Sequence, residues 1–135
     1  MEGGQTNEFR PLILVAEDDD SNFKLIKAII GKKCDIQWAK NGEEIVALFK
    51  EYGNEAKAIL MDIKMPVMNG LDATKIIRGE NKEIPIIMQT AYAFSSDKEN
   101  AMNAGASEVL VKPITLSILR NTLTKYFPEI GRAHV

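Results

Sequence analysis

The chain has 135 residues, which is the size of one domain with a substantial core. Its 17 lysines and arginines against 19 aspartates and glutamates give a net charge of −2, so there is no basic excess for direct nucleic-acid binding. No apolar run approaches the ~20 residues of a membrane span, and the single cysteine excludes an internal disulfide, so we expect no membrane contact in this segment and a cytoplasmic location.

Short apolar runs, bounded by polar residues, recur along the chain. Nearly continuous apolar runs of this length are typical of strands buried on both faces of a parallel sheet. The second run alternates polar and apolar residues, which favours an edge strand. The five predicted strands are, in chain order, Leu12–Ala16, Asp35–Ala39, Ala58–Met61, Ile84–Met88 and Val109–Val111.

Amphipathic segments follow each strand, and glycine or proline ends most of them. Capping residues precede several: Asp20 or Ser21 the first, Asn41 the second, Ser95 or Ser96 the fourth and Thr115 the fifth. The predicted helices span residues 21–30, 41–53, 70–78, 97–104 and 116–127. This alternation predicts an α/β fold with a parallel sheet and helices on both faces. We expect a flexible lead-in at 1–10, one domain at 11–127 and a tail or linker at 128–135.

Polar side chains stand directly after four of the predicted strands. The acidic run Glu17–Asp20 follows the first strand, Asp62 the third, Thr90 the fourth and Lys112 the fifth. In open parallel sheets the site lies at the carboxyl ends of the strands. We therefore expect carboxylates, a hydroxyl and an ammonium group to converge in one shallow crevice.

This set of groups points to phosphoryl chemistry. Two carboxylates ~4 Å apart repel by about 4 kcal/mol at an effective dielectric of ~20, so the cluster needs a proton or a cation. Oxygen ligands favour Mg²⁺ or Mn²⁺. Thr90 and Lys112 can then bind phosphoryl oxygens. Thr90 is one candidate acceptor, but a carboxylate needs no deprotonation to act as a nucleophile, so we choose Asp62.

The motifs themselves resemble a known family. An acidic pair follows the first strand, D-x-x-M-P-x-M-x-G spans Asp62–Gly70, and Thr90–Ala91 and Lys112–Pro113 follow the fourth and fifth strands. From about residue 11 to 127 the chain resembles the receiver (response-regulator) domain of two-component signalling, and it is most similar to receivers of hybrid sensor histidine kinases. The resemblance implies a flavodoxin-like, doubly wound sheet of five parallel strands in the order 2-1-3-4-5, with five helices.

The resemblance also implies residue roles. Asp62 matches the phosphoacceptor, Asp18 a direct Mg²⁺ ligand and Glu17 its acidic partner, which often acts through water. The implied metal-binding residues are Glu17, Asp18, Asp62 and Lys64 through its backbone carbonyl. The implied phosphoryl-binding and switch residues are Thr90, Ala91 and Lys112.

One position departs from the family pattern. The family often has an aromatic switch residue three positions before the lysine, and this chain has Val109 there. Tyr92 and Phe94, just after Thr90, are candidates for part of an aromatic switch surface.

The resemblance implies partners as well. The phosphoryl donor would be a phosphohistidine on a histidine kinase or a histidine phosphotransfer domain, and Mn²⁺ would substitute for Mg²⁺. The chain would be a phosphoacceptor with at most slow self-dephosphorylation rather than an enzyme. A weak homodimer, and a membrane-anchored parent if the chain belongs to a hybrid kinase, are left open.

Competing functions fit the residues less well. A flavin carrier needs a Gly/Ser/Thr-rich phosphate loop where this chain has Glu17–Asp20. A calcium loop starting at Asp18 needs glycine and glutamate where Phe23 and Ile29 stand. A phosphate-hydrolysing enzyme usually carries a second aspartate where Lys64 stands, and a docking module without phosphorylation would not need the full acid, threonine and lysine set.

Overall fold

The computed structural model describes residues 10–91 and 96–128. These residues form alternating strands and helices, as the sequence predicts. Their order is β1 Leu12–Ala16, α1 Asp20–Ile30, β2 Asp35–Ala39, α2 Gly42–Tyr52, β3 Ala56–Asp62, α3 Gly70–Arg78, β4 Ile86–Thr90, α4 Asp97–Ala104, β5 Glu108–Val111 and α5 Leu116–Tyr126.

The strands form one parallel sheet in the order β2-β1-β3-β4-β5. The predicted doubly wound fold and strand order are therefore confirmed. The strand order reverses between β1 and β3, and at such a switch point the two flanking connections leave on opposite faces and open a crevice. The crevice lies at the carboxyl ends of the strands.

Side chains alternate between the two faces of the sheet, and each face carries its own core. On one face, Leu14, Ile59 and Met88 pack with α2, α3 and α4. On the other face, Val15 and Leu60 pack with α1 and α5. Burial on both sides explains why the central strands are nearly continuous apolar runs.

Two of the four predicted helix caps make side-chain capping bonds. Asn41 Oδ1 accepts a hydrogen bond from Glu44 N at 2.9 Å, and Thr115 Oγ1 accepts one from Ile118 N at 3.2 Å. The first helix differs from prediction, because Asp19, rather than Asp20 or Ser21, is its N-cap. Ser96 is the N-cap of α4 but makes no side-chain capping bond.

Strand bounds also shift from prediction. β4 begins at Ile86 rather than Ile84, because Pro85 has no N–H to donate to the ladder. At its other end β4 continues beyond Met88 to Thr90. β3 likewise extends to Asp62, so both polar residues are the last of their strands.

The predicted lead-in at 1–10 and the predicted tail at 128–135 lie almost wholly outside the described residues. Arg10 is described: its guanidinium pairs with Asp35 at 3.0 Å and donates to the carbonyls of Gly31, Lys32 and Cys34. None of the described helices has the length and hydropathy needed to span a bilayer.

Candidate functional site

Three acidic side chains meet at the carboxyl ends of β1 and β3. Glu17 and Asp18 follow β1, and Asp62 ends β3. One carboxylate oxygen from each lies within 4.8 Å of the others. Glu17 is fully buried and Asp62 is almost so, while Asp18 is exposed. The crevice expected from the sequence therefore contains the expected acids.

Lys112 reaches this cluster from the end of β5. Its Nζ lies 2.9 Å from Asp62 Oδ2 and 3.5 Å from Glu17 Oε1. Burial alone would lower the pKa of Lys112, but Asp62 and Glu17 outweigh it and raise that pKa above its usual value. Lys112 therefore stays charged, and the peptide bond to Pro113 that follows it is cis.

Glu17 has the most perturbed electrostatics of the site. Burial, and then repulsion by Asp62, raise the pKa of Glu17 to about 7, although Lys112 acts in the opposite direction. Its Oε2 accepts a hydrogen bond from Asp19 N at 3.2 Å. Within residues 10–91 and 96–128, no donor makes a well-formed hydrogen bond to Glu17 Oε1.

These groups fit a divalent cation. Lys112 pairs with two of the three carboxylates but supplies one positive charge. The buried Glu17 Oε1 leaves an acceptor that a cation or its water can engage. Because the candidate ligands are carboxylate oxygens, they match a hard cation rather than zinc or copper.

The acids line a cavity of about 260 Å³. It brings together most of the residues singled out in the sequence and adds Asp19, Asn22 and Ile63. The predicted site residues that line it are Glu17, Asp18, Asp62, Lys64, Thr90, Ala91 and Lys112.

The loop from β3 to α3 is wound tightly beside this cavity. Gly70 N donates to Ile63 O at 2.8 Å, and Val67 has a φ of 70°, which is unusual for a β-branched residue. A Cβ on Gly70 would lie 2.1 Å from the Asp62 carbonyl oxygen. Glycine at this position thus lets the loop close against the backbone of Asp62.

Thr90 has a partner that the sequence did not reveal. Its buried hydroxyl donates to Asp97 Oδ2 at 3.2 Å. Asp97 is the first residue of α4, so this bond links the end of β4 to the start of the helix. Asp97 has no motif signal of its own, because acidic residues are common in the first turn of any helix.

The candidate switch-surface residues stand apart from the cavity or outside the described residues. Val109 is partly buried and packs against the core on the α2–α4 face, and it does not line the cavity. Tyr92 and Phe94 lie outside the described residues.

Trp38, on the edge strand, is a second residue that sequence reasoning did not connect to the site. Its Nε1–H donates to the backbone carbonyl of Glu17 at 2.8 Å. A single tryptophan in an alternating strand carries no signal for such a contact.

Comparison with known proteins places the chain among signalling domains. The family model for the response regulator receiver domain matches residues 13–124. Hybrid signal transduction histidine kinase I of Dictyostelium discoideum is 38% identical over 129 residues, covering 87% of this chain. The chain spans 7% of the length of that relative.

Two solved structures are similar in both fold and sequence. The receiver domain of sensor histidine kinase PA1611 from Pseudomonas aeruginosa, solved with a magnesium ion in its active-site cleft, is 31% identical with a TM-score of 0.81, covering 90% of this chain and 98% of that one. The receiver domain of Ssk1 from Saccharomyces cerevisiae, solved with the histidine phosphotransfer protein Ypd1, is 28% identical with a TM-score of 0.81, covering 89% and 90%.

Proposed function

The chain belongs to the response regulator receiver domain family of two-component signalling, and from this premise we propose that it accepts a phosphoryl group on Asp62 in a phosphorelay. The donor is a phosphohistidine on a histidine kinase or a histidine phosphotransfer domain. Mg²⁺ is the proposed cofactor, and Mn²⁺ substitutes for it.

One observation carries this proposal. The Asp62 carboxylate ends β3 within hydrogen-bonding distance of Lys112 Nζ and within 4.8 Å of acidic oxygens on Glu17 and Asp18. The acceptor oxygen of Asp62, the Lys112 ammonium that offsets phosphoryl charge and a candidate site for a metal cation therefore lie in one cavity. Phosphoryl transfer requires mainly positioning and charge neutralisation, and this arrangement supplies both.

The proposed reaction is a displacement at phosphorus. An Asp62 oxygen attacks the phosphorus, the P–N bond to the donor imidazole breaks, and its electron pair remains on that nitrogen. The product is an aspartyl phosphate. Lys112 holds the reacting carboxylate and offsets the added charge, while Thr90 and the backbone N–H of Ala91 donate to phosphoryl oxygens.

The cation would be held by Glu17, Asp18, Asp62 and the backbone carbonyl of Lys64. When bound, Mg²⁺ neutralises charge that develops on the phosphoryl oxygens. Glu17, whose pKa is raised by burial and by Asp62, acts as the buried acidic partner.

Signalling follows from the position of Thr90. We expect its hydroxyl to exchange Asp97 for a phosphoryl oxygen once Asp62 is modified. Because Asp97 begins α4, this exchange biases the position of the helix between two states. The face around α4 is then the output surface.

The relatives support the choice of donor. A similar receiver was solved in complex with a histidine phosphotransfer protein, and relatives of this chain are hybrid histidine kinases. Loss of the phosphoryl group occurs by in-line attack of water. The chain is proposed to be a phosphoacceptor with at most slow self-dephosphorylation.

Substitution of the acceptor tests the proposal. Phosphoramidate carries the same P–N bond as phosphohistidine, so ³²P-labelled phosphoramidate with Mg²⁺ should label the wild-type chain, and the label should be lost in alkali. Asp62→Asn should abolish this labelling, because an amide oxygen is a poor nucleophile. The measurement is scintillation counting of gel-resolved protein over time.

The matched control is Asp20→Asn, which makes the same chemical change at an exposed residue paired with Lys40 outside the cavity. It should label like the wild type. Alkali-stable label, or undiminished label in Asp62→Asn, would contradict Asp62 as the acceptor. Label lost only in a Thr90→Val variant would show that the Thr90 hydroxyl, and not Asp62, is the acceptor.

A further inference from the structure

The backbone of Glu17 is held at both its polar groups by the edge strand β2. Glu17 N donates to the Ala39 carbonyl at 2.9 Å, and the Glu17 carbonyl accepts from Trp38 Nε1 at 2.8 Å. The first bond continues the parallel pairing of β1 with β2. The second is a side-chain bond made by the indole N–H of Trp38.

The second bond acts on the peptide that joins Glu17 to Asp18. A peptide unit is planar, so fixing the direction of its carbonyl also fixes the direction in which its N–H and the next Cα leave. That next residue is Asp18, which is exposed and reaches the acidic cluster from the cavity rim. Trp38 therefore acts on the positions of two acids at once.

The indole that makes this bond is itself held in place. It stacks on the Phe23 ring of α1 with centroids 3.9 Å apart and planes 2° apart. The Lys40 ammonium lies 4.7 Å from the indole centroid and also pairs with Asp20 at 3.3 Å. A ring fixed by these contacts presents its N–H in one direction, with little conformational entropy left to lose.

We infer that Trp38 is a positioning residue of the acidic site, whose indole N–H orients the Glu17–Asp18 peptide so that both carboxylates face the cation. This inference rests on the proposed cation site. It assigns to an edge-strand residue, 21 positions along the chain from Glu17, a part in cation affinity.

The first test needs no substitution. Trp38 is the only tryptophan, so the ¹⁵N-labelled wild type gives one indole N–H resonance. When Mg²⁺ is added, this resonance should shift with the same midpoint as Mg²⁺ binding measured by calorimetry. An indole resonance that stays unmoved while Mg²⁺ binds would overturn the inference.

The second test separates the hydrogen bond from packing. Trp38→Phe keeps an aromatic ring against Phe23 but removes the N–H donor, and we expect about three- to ten-fold weaker Mg²⁺ affinity. Its phosphorylation by phosphoramidate should reach the wild-type rate at saturating Mg²⁺, because the substitution changes the affinity for the cation and not the reacting groups. A merely structural defect would lower the saturated rate as well. Phe23→Leu keeps the donor and only weakens the stack that holds the ring, so it should weaken Mg²⁺ binding less than Trp38→Phe does.

Wild-type Mg²⁺ affinity in Trp38→Phe, or equal weakening in both variants, would overturn the inference while leaving the proposed function intact. If Trp38→Phe fails to fold, the indole titration of the wild type decides. Failure of the wild type to bind Mg²⁺ would overturn the proposed cation site and this inference with it.

Discussion

At the scale of single residues, the site depends on backbone contacts as much as on charged side chains. Asp62 is held by Lys112 through its carboxylate, and its carbonyl lies against Gly70. The packing at Gly70 leaves no room for a side chain, because an added Cβ would lie 2.1 Å from the Asp62 carbonyl oxygen. The acceptor position and the start of α3 are thus coupled.

Gly70→Ala should therefore disturb the acceptor directly. We expect a loss of about 1–3 kcal/mol in the free energy of unfolding, since the backbone on one side must move. Because the Asp62 backbone is one of the two segments that would be forced apart, labelling by phosphoramidate should also slow. Urea denaturation and the labelling rate measure the two effects.

Gly79→Ala is the matched control at the other end of α3. An added Cβ there would lie 3.2 Å from the Ile76 carbonyl, and φ is −63°, which alanine adopts readily. We expect this variant to label at the wild-type rate. Equal stability and equal labelling in the two variants would refute the coupling of Gly70 to Asp62.

At the scale of elements, α4 buries only small side chains against the rest of the described fold. Its buried residues are Ala101 and Ala104, and its N-cap Ser96 makes no side-chain capping bond. Thr90 bonds to its first residue, and Arg78 of α3 donates to the carbonyl of its C-cap Gly105 at 2.8 Å. An element with a small apolar contact is suited to a change of position.

Arg78→Lys should loosen the second attachment. The guanidinium also donates to Asn81 O at 3.1 Å and Ser107 Oγ at 3.2 Å, and a single ammonium cannot replace three directed donors. We expect a loss of about 1–3 kcal/mol in the free energy of unfolding. Relative to the wild type, amide exchange should speed up more in α4 than in α1.

The control is Arg120→Lys on the exposed surface of α5, where the same exchange should change stability by less than about 0.5 kcal/mol. Urea denaturation gives the first quantity and hydrogen-exchange mass spectrometry the second. A loss in Arg120→Lys as large as that in Arg78→Lys would show that the three hydrogen bonds of Arg78 are not its cause.

At the scale of the whole molecule, the sheet joins two cores and leaves the acids at its carboxyl edge. β1 and β3 carry the acidic residues from the centre of the sheet, and both strands are buried on both faces. The buried Glu17 and Asp62 therefore cannot move apart to relieve their repulsion without disturbing the packing of these strands. A bound cation should relieve that repulsion and stabilise the entire fold.

Mg²⁺ should thus raise the melting temperature of the wild type. At a free concentration ~100-fold above the dissociation constant, binding to the folded state alone contributes about 2.7 kcal/mol. Asp18→Asn should reduce this gain, and Asp20→Asn should keep it. Circular dichroism melts in Mg²⁺ and in EDTA make the comparison, and an undiminished gain in Asp18→Asn would count against Asp18 as a ligand.

The sequence by itself determined the strand and helix order and the set of acids, hydroxyl and lysine at the strand ends. Apolar periodicity reports which segments are strands and helices, and parallel strands bring their carboxyl ends together by topology alone. The D-x-x-M-P-x-M-x-G string, together with the acidic pair, Thr90–Ala91 and Lys112–Pro113, identified the family. Strand bounds were less certain, since Ala56 and Thr90 extend their strands beyond the apolar runs.

Only the tertiary structure decided how deeply the site residues are buried and which individual hydrogen bonds they make. Glu17 is fully buried, Thr90 donates to Asp97, and Trp38 donates to the Glu17 carbonyl. None of these follows from spacing, because side-chain direction and burial depend on how helices pack on both faces of the sheet. Local pattern sets what each segment is, whereas long-range packing sets which groups touch.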